Sequence, residues 1–188
     1  MAYTTRKELL NALKRNENVA WEKFLDFYGP LITLRGKDFG LTPQEVEELR
    51  QDVCVSIFTK NSIDAYDPSK GRFRDYLRGI LTHRALDIVA RREPVRDPRP
   101  DLPSEEDDSK RFEQEWREFV FEKALKEVQE RCDDLTFMAF QLHAMHGLPA
   151  KEVAQQLKIT EQKVFLSSSR ITQRLKEAVK NLEKELDE

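Results

Sequence analysis

Nowhere do apolar side chains run for the roughly 20 positions that a membrane-spanning helix needs, so the chain is not expected to cross or sit in a membrane. The first residues, MAYTTRKELLNALKRNENVAWEKF, lack the apolar core of a secretory leader, and the expected location is the cytoplasm. Cysteine is scarce: Cys54 and Cys132 lie far apart, outside any C-x-x-C spacing, so both should be reduced thiols. Histidine is limited to His83, His143 and His146. The i,i+3 pair has no clustered carboxylate or thiolate beside it, so no metal site is expected. A nucleophile–base pair and a Gly-rich phosphate loop are also lacking, which argues against an enzyme and leaves no call for a cofactor. With only 6 Gly, 36% charged and 39% hydrophobic residues, the 188-residue chain reads as soluble and mainly helical. That length suffices for one ordinary domain or two small ones.

The formal net charge is -3, yet one stretch runs against it. Tyr66 to Arg92, YDPSKGRFRDYLRGILTHRALDIVARR, opens with a turn signal in Asp67-Pro68-Ser69 and Gly71. From Phe73 the residues Leu77, Ile80, Leu81, Ile88 and Val89 follow helical spacing, with Ala85 between and no proline before Pro94. Arg72, Arg74, Arg78, Arg84, Arg91 and Arg92 ride on that helix against Asp75 and Asp87 alone. One reading is a solvated basic face with intrahelical ion pairs. The other is a nucleic-acid surface, because Tyr66, Phe73 and Tyr76 at the helix start could stack on unpaired bases.

Upstream, Arg6 to Lys14 and Val19 to Leu34 have helical patterns, and Gly29-Pro30 is expected to bend or end the second. Thr42, Pro43 and Glu45 form a capping box with proline at the first helical position. They open QEVEELRQDVCVSIFTK, which should turn Val46, Leu49, Val53, Ile57 and Phe58 inward and leave Glu47, Glu48, Arg50, Gln51 and Asp52 for solvent or a partner.

Beyond Arg92 four prolines fall within Glu93 to Pro103, and Glu105 to Asp108 are all acidic. Such a segment buries little, so residues 94–111 read as a flexible acidic linker, at its simplest a plain tether. Helix resumes near Arg111, with Phe112, Trp116, Phe119, Val120, Leu125 and Val128 as expected core, and a second runs from Leu135 to His146 before Gly147. A short helix after Pro149, a turn at Lys158-Ile159-Thr160 and a long helix capped by Thr160 then suggest a helix-turn-helix. In the long helix Val164, Ser168, Ile171, Leu175, Ala178 and Leu182 form an inward stripe. A second stripe, Lys163, Ser167, Arg170 and Arg174, suits phosphates and base edges, whereas a generic helical hairpin needs only the first.

The two halves carry a family resemblance. Phe73-Arg74-Asp75-Tyr76-Leu77, Ile80, His83-Arg84-Ala85, Asp87 and Arg91-Arg92 resemble the second conserved region of bacterial RNA polymerase sigma factors of the extracytoplasmic-function group, with Tyr76 for the usual Trp and His83 for Asn. Glu48-Leu49-x-Gln51-Asp52 resembles the motif by which that family docks on the clamp helices of the polymerase largest subunit. Glu152-Val153-Ala154, the turn, Thr160-Glu161, Val164 and Ser169-Arg170 resemble its fourth conserved region, which reads the -35 promoter element. Here the turn has Lys158 where Gly is common, and Phe165 to Ser169 stand in a usually basic run, so phosphate contact is expected to lean on Lys163, Arg174 and Lys176.

The resemblance implies an all-α protein of two small helical domains. Residues 1–93 would be a bundle for polymerase docking and -10 recognition and melting, 94–111 the linker, and 112–188 the helix-turn-helix domain. Core polymerase would be met by Glu48, Leu49, Gln51 and Asp52; the -10 region by Tyr66, Lys70, Arg72, Tyr76, His83, Arg84, Asp87 and Arg91; the -35 region by Thr160, Lys163, Ser167, Arg170 and Arg174. In the family the linker can pass near the RNA path, where its acids could stand in for phosphates. An anti-sigma factor is a further partner class that the resemblance admits. The alternative is a stand-alone helix-turn-helix regulator that does not bind core polymerase.

Overall fold

A computed structural model describes residues 6–15, 17–59, 66–67, 70–92 and 104–187. Among them every regular element is helical. No helix of these residues is long and apolar enough to cross a membrane. The chain divides into two compact units, Met1–Phe119 with Glu185–Glu188, and Val120–Lys184.

In the first unit α1 spans Arg6–Lys14, α2 Asn18–Asp38, α3 Pro43–Thr59 and α4 Phe73–Arg91, and the start of α5, Glu105–Glu130, completes it. Pro30 does not end α2. An interior proline costs about 3 kcal/mol, but Leu31 and Ile32 just beyond it are fully buried, and each such side chain returns about 1.5–3 kcal/mol. Continuing the helix wins, and it also carries Arg35 into the core. Gly36 lets α3 approach closely, since a Cβ there would lie 2.8 Å from Val46 Cγ2. Gly40, at φ 63, turns the chain after α2, and the Leu41 amide donates to the Gly36 carbonyl at 2.9 Å. The capping box forms as expected: the Thr42 amide donates to Glu45 Oε2 at 2.7 Å and the Glu45 amide to Thr42 Oγ1 at 3.3 Å.

Residues 104–111 differ from the linker expectation, because helix α5 begins at Glu105 rather than near Arg111. The Ser104 hydroxyl accepts from the Asp107 amide at 3.1 Å, and four acids occupy the first turn, where the helix dipole favours them. The acid run thus serves as a helix start. The expected linker residues 94–103, like Pro68 and Ser69 of the turn, lie outside the described residues. Nor does the first unit stop before Phe112. Phe119 lies edge-on to Phe27 at 5.6 Å and stacks on Tyr28 at 6.0 Å, and Trp116 packs beside Phe119.

The tie between α5 and the bundle is also polar. Fully buried Arg35 donates to Asp108, to Glu115 Oε1 at 3.0 Å and to Thr82 Oγ1 at 2.7 Å. Burial pushes the Glu115 carboxyl up to about 7, against the opposing pull of the Arg35 guanidinium.

In the second unit the rest of α5 is followed by α6, Asp134–Phe140, a π-helical turn over Gln141–Met145, α7, Ala150–Leu157, and α8, Glu161–Asp187. Helix Leu135 to His146 is therefore a helix that widens at its end, with the His146 amide donating to the Gln141 carbonyl at 2.9 Å. One core cluster joins Ala124 and Val128 to Phe137, Phe140, Ile171 and Leu175. Another joins Ala139 to Val153, Ala154 and Val164. Lys158 closes α7 in the left-handed region, at φ 55, and the Ile159 amide donates to the Ala154 carbonyl at 3.0 Å. Thr160 caps α8 by accepting from the Lys163 amide at 3.2 Å.

Candidate nucleic-acid interface

Helix α3 presents Glu45, Glu48 and Asp52 at steps of three and four, and α4 lays its basic C-terminal end along them. Arg91 pairs with Glu48 Oε1 at 2.7 Å and with Asp52 Oδ2 at 3.3 Å. Arg92 holds both oxygens of Glu45, at 2.8 and 2.6 Å, and also donates to the Gly40 carbonyl at 3.0 Å. Hydrogen bonds from Arg92 and from the Thr42 amide hold the Glu45 carboxyl at about 2, well below the ordinary carboxylate range. Arg84 donates from Nε to Ser56 Oγ at 2.6 Å and from Nη1 to Asp87 Oδ2 at 3.0 Å. The Ser56 hydroxyl in turn donates to the Asp52 carbonyl at 2.6 Å.

Residues that the sequence assigns to two partners therefore form one network. Glu48 and Asp52, expected to meet polymerase, are tied to Arg91, expected to meet DNA. Gln51 stands exposed beside them. Leu49 is a correction to the docking set alone: at 0% exposure it lies in the core, where the helical spacing of α3 had placed it, and offers no docking surface.

Tyr66 is a second correction. It is 8% exposed, its ring lies edge-on to Phe73 at 5.3 Å and tilted against Tyr76 at 5.5 Å, and its hydroxyl donates to the Gly71 carbonyl at 3.3 Å. Ring burial outweighs stacking availability at that position, and Tyr66 seals the start of α4. Tyr76 remains half-buried; Lys70, Arg72 and His83 are exposed, with Lys70 3.9 Å from Asp67, Arg72 2.9 Å from Asp75 and His83 3.9 Å from Asp87. Arg74, counted above in the basic stripe, turns inward, 3.5 Å from Glu113 and over the Trp116 ring. The local positive excess is thus partly balanced by carboxylates from α3 and α5 as well as α4.

In the second unit Lys163, Arg170 and Arg174 are exposed along α8, and Thr160 is exposed at its cap. Ser167 is the third correction: it is 4% exposed and lies inward beside Ser168, because the core-facing stripe of α8 is wider than one residue per turn. Phe165 and Leu166, which open the run that is usually basic in the resembling family, are 54% and 48% exposed on the same helix. The Phe165 ring meets His143 edge-on at 5.3 Å, and His143 Nδ1 lies 2.8 Å from the Leu148 carbonyl. Ser56 was also missed, as was the pairing of Arg92, already counted in the basic stripe, with Glu45, since nothing in the chain order signals these contacts. Among the described residues no group of three or more His, Cys, Asp or Glu is placed to hold a metal ion. No protein-family model and no curated protein matches the chain, so the functional reading rests on its residues and their geometry.

Proposed function

We propose that this protein is a sigma factor of the extracytoplasmic-function kind. It binds core RNA polymerase, directs it to promoters and helps open the duplex, acting in the cytoplasm as a binding subunit rather than an enzyme. The observation that carries this reading is the α3–α4 surface, where Gln51, Glu48 and Asp52 adjoin Arg84, Asp87 and Arg91. Arg91 then couples docking to strand capture. Its ion pairs are solvent-exposed, and such pairs are worth about 0–1 kcal/mol, so a DNA phosphate can take the guanidinium at little cost. The freed carboxylates would then be available to the clamp helices. The three-residue turn between α7 and α8, with Lys163, Arg170 and Arg174 outward, supports a helix-turn-helix over the -35 element.

A stand-alone helix-turn-helix regulator is the second reading, favoured by Glu48 and Asp52 already being engaged within the chain. Co-elution with purified bacterial core polymerase separates the two. A sigma factor co-elutes, supports promoter-specific transcription in vitro and binds duplex weakly alone; a regulator binds duplex alone and leaves core untouched. Gln51→Ala should lower core affinity and spare the fold, whereas Arg84→Ala should lower open-complex yield at unchanged core affinity. Core affinity intact in Gln51→Ala refutes the docking face.

A further inference from the structure

The α8 face that a helix-turn-helix aims at the groove has an apolar centre. Phe165 and Leu166 are the fifth and sixth residues of the helix, in the turns whose side chains reach base edges in that motif. Gln162 and Ser169 are exposed one turn to either side on the same face. From Ala150 to Lys176 the chain carries six cationic side chains, Lys151, Lys158, Lys163, Arg170, Arg174 and Lys176, against Glu152 and Glu161, an excess of four in a chain of net -3. All six are exposed, and the carboxylate that acts on them from outside this stretch is Asp133, within electrostatic reach of Lys163. The surroundings thus fit a polyanion, while the centre cannot bind phosphate. The one apolar group that base edges offer in the major groove is the thymine 5-methyl.

We infer that Phe165 and Leu166 are specificity-determining residues that read thymine methyl groups in the major groove, while Lys163, Arg170 and Arg174 hold the flanking phosphates. The inference rests on the helix-turn-helix part of the proposed function and names what that helix selects. On its protein side the ring meets His143 edge-on, and His143 is itself tied to the Leu148 carbonyl.

The test uses the full chain with core RNA polymerase and a library of short duplexes with a randomised segment. The selected duplex is resynthesised with deoxyuridine for thymidine at single positions, which removes only the methyl. Binding should weaken about fourfold per contacted methyl, at one or two positions. In Phe165→Ala and Leu166→Ala the two duplexes should bind alike. Both positions are half-exposed, and circular dichroism would verify that these variants fold. Phe165→Lys should also lose the discrimination while steepening the salt dependence by one phosphate contact. The inference is overturned if uridine at every thymine leaves affinity unchanged, if the loss persists in both alanine variants, or if the chain co-elutes with core yet selects no duplex. It is equally overturned if Phe165→Ala weakens core polymerase binding with DNA preference intact, which would make this face a protein contact. Methyl discrimination by a chain that never associates with core would instead refute the sigma assignment and leave the thymine reading standing.

Discussion

Glu115→Gln should make the protein more stable at alkaline pH and nearly neutral in effect at acid pH. Arg35 is fully buried and faces Asp108, Glu115 and, at 3.7 Å, Asp38, which Arg111 also meets at 3.6 Å, so two guanidinium groups are shared among three carboxylates. Burial lifts the Glu115 carboxyl from 4.5 to about 7. The folded protein therefore holds a proton that the unfolded chain has released across that window. Stability falls as pH rises from about 4.5 to about 7 and then levels off. At about 1.36 kcal/mol per pH unit the loss is on the order of 3 kcal/mol, a large part of the roughly 5–15 kcal/mol that holds a domain folded. Glutamine keeps the acceptor oxygen that Arg35 Nη1 reaches at 3.0 Å and cannot ionise. Urea unfolding followed by tryptophan fluorescence reads the right unit, since Trp21 and Trp116 both belong to it. The stability of the variant minus that of wild type should grow by about 2–3 kcal/mol between near pH 5 and near pH 8. A difference that does not move with pH refutes the buried-proton account.

Lys158→Gly should stabilise the second unit by about 1 kcal/mol, because a side chain at φ 55 carries a left-handed penalty that glycine escapes; an unchanged or lower Tm would count against that conformation. Gly36→Ala should destabilise the first unit by about 1–3 kcal/mol as its Cβ meets Val46 Cγ2, and a relieving Gly36→Ala/Val46→Ala pair should recover part of the loss in urea melts.

Much of the helical framework was legible because local rules agreed. The bounds of α1, the Thr42–Glu45 capping box, α4 from Phe73 and the Thr160 cap all follow from spacing and capping chemistry within a few residues. Local rules failed where two of them competed. Pro30 signalled a break, yet the apolar residues beyond it had a core to enter. The Ser104 to Asp108 run satisfied a linker composition and a helix start equally well; what decided it was Arg35, more than 70 positions away, which draws Asp108 and Glu115 onto the bundle.

The candidate site divides along the same line. Which residue types could meet phosphate, base or clamp helix was readable from the chain, and so was the helix that carries each. Which of them remain accessible was not. Ser167 sits at a plausible position and is buried, because a helical face spans about 100° or more and its edges are assigned only by what packs there; Tyr66, ahead of α4, is covered by Phe73 and Tyr76, whereas the inward place of Leu49 did follow from its spacing. The pairing of Arg91 with Glu48 and Asp52, and the exposure of Phe165 and Leu166, likewise exist only once separate helices are brought side by side. Residue pattern alone pointed to a mainly helical chain with a basic helix behind an acidic one. Tertiary packing alone decided that these two share one ion-pair network, because charge pairing acts across space and leaves no periodic mark along the chain.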